Sequence, residues 1–124
     1  MANELSYSAA FTFQKGNLKE AAESFIGLVS TIAGGSVYHN APSIATSEEA
    51  LPLGDVTAAK AFFVFYNTDD SNYVEVRMGT GASLDMLYIP PKGLAMGFFG
   101  TDITAPYAVA NTAAVVLEYW LIPD

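Results

Sequence analysis

His39 is the single imidazole of this 124-residue chain and cysteine is absent, so few residue types able to do nucleophilic or metal chemistry are present. A serine triad presents its nucleophile in a Gly-x-Ser-x-Gly frame at a strand-to-helix turn. Gly35-Ser36 lacks that frame, and His39 in Val37-Tyr38-His39-Asn40 reads as an ordinary strand residue. Without cysteine there is no disulfide, thiolate zinc site or cysteine nucleophile, and the redox compartment stays open. Asp69-Asp70-Ser71-Asn72 offers oxygens to Ca²⁺ but lacks the spaced acids and closing Glu of an EF-hand loop. Gly79-Thr80-Gly81 shares two glycines with phosphate loops, yet it stands between two strand patterns and not before a helix. Glu48 and Glu49 are neighbours that point apart when extended, which is no arrangement for a glycosidase pair. The expectation is a protein that is not an enzyme, with no catalytic residue, no cofactor and no metal.

The aromatics carry more weight. Seven Tyr, eight Phe and one Trp fall mostly within strand patterns. At exposed positions such rings anchor interfaces or stack on sugars, and a glycan site would need Tyr66 or Tyr73 beside Asp69 and Asp70.

The elements that would position these residues are strands. Leu5 to Phe13 alternates apolar with polar as a half-buried strand does, and Lys15-Gly16-Asn17 is its turn. Residues 18–29 are in conflict. Leu18, Ala21, Ala22, Phe25, Ile26 and Val29 follow the helical i, i+3, i+4, i+7 spacing, with Asn17 as N-cap and Gly34-Gly35 as terminator. Ile26 to Ile32 nevertheless has the β-branched content of a strand.

From Ser36 onward the pattern is β. Val37–Ala41 is a short strand, and Ile44–Leu53 is extended but broken by Pro52. Ala61–Tyr66 and Tyr73–Met78 flank the turn-rich Asn67–Asn72 and predict a hairpin. Gly79–Ser83 is a turn before Met86–Ile89, and Pro90-Pro91-Lys92-Gly93 turns the chain into Leu94–Phe99. Short strands at such intervals predict an all-β antiparallel β-sandwich or jelly-roll-like fold, one domain over 1–124, with a short helix over 18–29 as the alternative for that segment.

Composition bounds the function. Hydrophobic residues are 52% and charged residues 15%, an apolar excess that a small domain cannot hide within itself. No run approaches the ~20 apolar residues of a membrane helix, so the cover is expected to be protein, another copy above all. The net charge of −8 includes only five scattered bases, Lys15, Lys19, Lys60, Arg77 and Lys92, which argues against nucleic-acid binding. The N-terminus shows neither a basic n-region nor an apolar h-region.

The last strand concentrates the apolar excess. From Val115 to Ile122 every position but Glu118 is apolar or aromatic, so both faces are. Val115, Leu117, Tyr119 and Leu121 share one face, and Val116, Trp120 and Ile122 the other. Val116, Tyr119, Trp120 and Ile122 are the candidate interface residues.

Four stretches in order carry a resemblance. They are Met1-Ala-Asn-Glu-Leu-Ser6, Val37–Val56, Phe65–Val76 and Tyr107–Tyr119. Together they resemble a family of small structural proteins of tailed bacteriophages. The resemblance implies a β-sandwich virion component that works by assembling, made in the host cytoplasm, with itself and other virion proteins as partners. It also implies strand over residues 18–32, and mostly strand is the expectation there. It carries over no catalytic residue. A compact domain without fibre repeats suits a capsid decoration role, and a tail component contacting a glycan or host receptor is the alternative.

Overall fold

In the computed structural model, residues 4–15, 17–31, 37–79, 85–103 and 105–123 are described, and among them there are strands and loops but no helix. The expected turn or terminator residues Gly16, Gly34-Gly35 and 80–83 lie outside that set, as does Ser36. The chain divides into two compact units, Met1–Ala33 and Gly34–Asp124.

The first unit is an antiparallel hairpin of β1 (Glu4–Lys15) and β2 (Leu18–Thr31), closed where Lys15 pairs with Leu18. Residues 18–31 are therefore strand, and the short helix is not formed. Pairing with β1 overrides the local helical spacing. Tyr7, Ala9 and Phe11 are two residues apart and pair with Leu28, Phe25 and Ala22, which are three apart, with a register shift at each step. A bulge of this kind inserts one extra residue into one strand of a pair.

The second unit holds the expected antiparallel β-sandwich. Its strands are β3 (Tyr38–Asn40), β4 (Ser43–Ile44), β5 (Glu49–Ala50), β6 (Phe62–Asn67), β7 (Val74–Arg77), β8 (Asp85–Ile89), β9 (Leu94–Phe98), β10 (Tyr107–Ala110) and β11 (Val115–Ile122). One sheet runs β5-β10-β7-β8 and the other β3-β11-β6-β9, with β4 also on β11. Alternate residues of each sheet meet in a common core that includes Ile44, Phe65, Val74, Val76, Leu117 and Tyr119. Burying each large apolar side chain of that core contributes roughly 1.5–3 kcal/mol.

The hairpin expected from Ala61–Tyr66 and Tyr73–Met78 is not formed. β6 pairs with β11 and β9, whereas β7 pairs with β10 and β8, so the two strands lie in opposite sheets. Their apolar faces meet across the core instead of lying side by side. The chain crosses between sheets at Asn67–Asn72 and crosses back at Pro90–Gly93, and the two crossings are tied together. Asn67 donates its backbone N–H to Gly93 O at 2.9 Å, and Lys92 donates its own to Asp69 O at 3.1 Å. The fully buried Asn67 amide donates to Asn72 O at 2.8 Å and to Ile89 O at 3.2 Å, and its Oδ1 accepts from Asp69 N at 2.9 Å. A buried amide satisfied on both ends fixes this corner, because leaving it unpaired would be costly.

Candidate interaction surface

β11 lies in the middle of its sheet and sets the two faces. Val115, Leu117, Tyr119 and Leu121 point into the core, and Val116, Glu118, Trp120 and Ile122 point outward. Three of the four expected interface residues, Val116, Trp120 and Ile122, are thus on the outer face. Tyr119 is not. It is completely buried, stacks on Tyr38 at 5.9 Å, and donates its hydroxyl to Pro52 O at 2.6 Å. Burial, and then the neighbouring Tyr38, push its phenol well above the ordinary range, so it stays protonated. Tyr119 is a core residue that ties β11 to the chain following β5, because its position in the strand has the inward parity.

Register extends the outer face across four strands. His39, Trp120, Val64 and Met96 form one row from β3 to β9. Glu118, Tyr66 and Leu94 form a second, and Ile122, Phe62 and Phe98 a third. Leu94 is 62% exposed, Phe98 49% and Val116 44%. Phe62 is buried, with its ring 5.1 Å from that of Phe98. Glu118 is the one Asp, Glu, Lys or Arg that these four strands carry. Its Oε2 lies 2.9 Å from His39 Nε2, and the His39 ring lies flat on Trp120 with centroids 4.4 Å apart and planes 6° apart. The only break in the apolar run of β11 is therefore answered from β3. This cluster joins residues 79 positions apart in sequence, which no local pattern announces.

The outer face of the other sheet differs. Arg77 lies 2.7 Å from Glu48 and 3.7 Å from Glu75, and the exposed Tyr88 packs on Tyr73 with centroids 5.0 Å apart. The residues considered for a glycan site do not converge, since Tyr66 and Tyr73 belong to opposite sides of the sandwich. Asp69 Oδ1 is occupied by the backbone N–H groups of Ser71 at 2.8 Å and Asn72 at 2.6 Å. Those donors lower its pKa, the Ser71 amide most. Asp70 lies 3.3 Å from Lys92 Nζ.

No protein-family model, curated protein or solved structure matches the chain.

What remains is what the geometry can do. Among the described residues no three His, Cys, Asp or Glu gather as a metal site, and no helix is long and apolar enough to cross a membrane. A cavity of about 260 Å³ lined by Phe63, Met78, Leu87, Phe98 and Ile103 offers apolar packing without convergent polar groups. The outer face of the β11 sheet is broad and apolar, and the Glu118 carboxyl group on it is hydrogen-bonded to His39. Such a patch is suited to burial against protein.

Proposed function

We propose that the protein is a bacteriophage virion structural component that assembles as a homo-oligomer on the particle, as a capsid decoration protein. The observation that carries this reading is the outer face of the β11 sheet. Trp120, Val64 and Met96 form a row there beside Ile122, Val116 lies on the same face beyond Glu118, and Glu118 is hydrogen-bonded to His39. A face of this kind gains by excluding water against a complementary surface, and Trp120 at its centre is the residue type that most often dominates such contacts. The resemblance of four ordered stretches to small phage structural proteins supplies the biological setting. The reading has the chain acting by contact, with no reaction, no cofactor and no nucleic acid. Its partners are copies of itself and other virion proteins.

The exposed Tyr88, packed on Tyr73 on the opposite sheet, favours a second reading, a tail component that contacts a glycan or host receptor. One experiment separates the two. Antibody against the chain, applied to purified particles of the encoding phage and viewed by electron microscopy, should label the head. Labelling confined to the tail would transfer the chain to the second reading, and unlabelled particles alongside chain found only in the lysate would remove both.

A further inference from the structure

Among the described strands β9 is the edge of its sheet, paired with β6 on one side only. Its sequence, Leu94-Ala-Met-Gly-Phe98, holds neither charge nor proline, the residues that usually guard an edge against pairing with another chain. The direction of its backbone groups follows from the register. Asn67 donates to Gly93 O and Phe99 donates to Ala61 O, both at 2.9 Å, so odd-numbered positions face β6. In an antiparallel ladder these alternate, so the N–H and C=O groups of Leu94 and Met96 turn away from β6 toward the edge.

We infer that β9 pairs antiparallel with β9 of a second copy about a two-fold axis through Ala95. Leu94 of each copy then lies opposite Met96 of the other, and the two exchange N–H to C=O bonds in both directions, four in all. The remaining positions decide the fit. In an antiparallel pair the non-hydrogen-bonded positions approach most closely, with Cα atoms about 4.5 Å apart against about 5.5 Å at the hydrogen-bonded ones. Here the close positions are Ala95 against Ala95 and Gly93 against Gly97, and the wide ones carry Leu94 and Met96. Small residues stand where the chains crowd and large ones where there is room. The Leu94 and Met96 side chains of both copies fall on the outer face, so the apolar surface continues without interruption from one copy to the other. A two-fold contact needs this self-complementarity, because the same strand must serve both sides.

The inference rests on the reading that the chain self-associates, and adds an edge contact to the face contact. Two measurements on the full chain test it. Amide hydrogen exchange should show Leu94 and Met96 protected, exchanging more slowly by roughly tenfold or more than the N–H groups of exposed loops. Met96→Pro removes an N–H that does not bond β6, in an edge position where proline is tolerated. It should leave the thermal unfolding transition cooperative and reduce the solution mass of the assembly. Leu94→Lys, which sets two cations on the shared face, should do the same without altering the backbone. Fast exchange at Leu94 and Met96 in an assembly whose mass both variants leave unchanged would overturn the edge contact while self-association stands. A chain that sediments as a monomer would remove both.

Discussion

His39 and Trp120 lie face to face on the outer surface of the sandwich, centroids 4.4 Å apart, with Glu118 closing on the imidazole at 2.9 Å. The stacking turns a half-buried indole and an exposed imidazole into one plate, and the carboxyl group of β11 gains its partner within the sheet. A contact this open to water contributes little to folding. Its consequence is for the face, since a carboxyl group already held by a neighbour in the sheet keeps a hydrogen-bond partner when the face is covered.

Trp120→Ala should therefore weaken assembly far more than folding. The side chain is half-buried, so the loss of stability should stay near 1–2 kcal/mol, while self-association should weaken by about 2 kcal/mol or more, as for a central aromatic anchor. Sedimentation velocity over a concentration series, set beside urea unfolding, separates the two effects.

Tyr119→Phe should behave in the opposite way. It removes the hydroxyl donated to Pro52 O at 2.6 Å inside the core and leaves the outer face untouched. The expected cost is about 1–2 kcal/mol in urea unfolding, with the mass of the assembly unchanged. Adjacent residues of one strand would then be assigned to two different tasks.

These two residues also show how far the sequence can be read. β11 is apolar on both faces, and Val116, Trp120 and Ile122 fall together on the outer face as their parity requires. Tyr119 is named beside them as an interface candidate although its parity groups it with Val115 and Leu117, and it points inward with them. Strand identity was legible at β6 and β7, but strand partnership was not. Local alternation says which face is apolar and is silent on which strand lies alongside. The turn residues Asn67–Asn72 suit a hairpin as well as they suit a crossing between sheets, and what distinguishes the two is the buried Asn67 amide reaching Ile89. In β2 the helical spacing of Leu18, Ala21, Ala22, Phe25, Ile26 and Val29 is overridden by pairing with β1, which local periodicity does not report.

Gly54 adopts φ +59°, and a Cβ there would run into the Tyr38 ring. Gly54→Ala should destabilise the fold by roughly 1–3 kcal/mol, combining the left-handed backbone cost with displacement of a ring that stacks on Tyr119. A shift in the urea midpoint is the measurement, and near-ultraviolet circular dichroism should register the moved tyrosine.

The Asp69 carboxylate predicts a pH dependence with a definite sign. Its folded pKa lies below the ordinary 3.8, held down by the amides of Ser71 and Asn72. A depressed carboxylate stabilises the fold above its unfolded pKa, and that contribution is lost as pH falls through the lower folded value. Stability of the wild type relative to Asp69→Asn should therefore be constant near neutrality and shrink as pH drops below 3.8. Urea midpoints of both proteins across that range give the difference, with the other acids cancelling.

The proposal as a whole turns on whether the outer face of the β11 sheet is covered by another copy. Sedimentation velocity of the wild-type chain at micromolar concentration tests this most directly. The predicted result is a species of several chain masses that shifts toward smaller species in Trp120→Ala. A single species of one chain mass at every concentration, unchanged by the substitution, would contradict it.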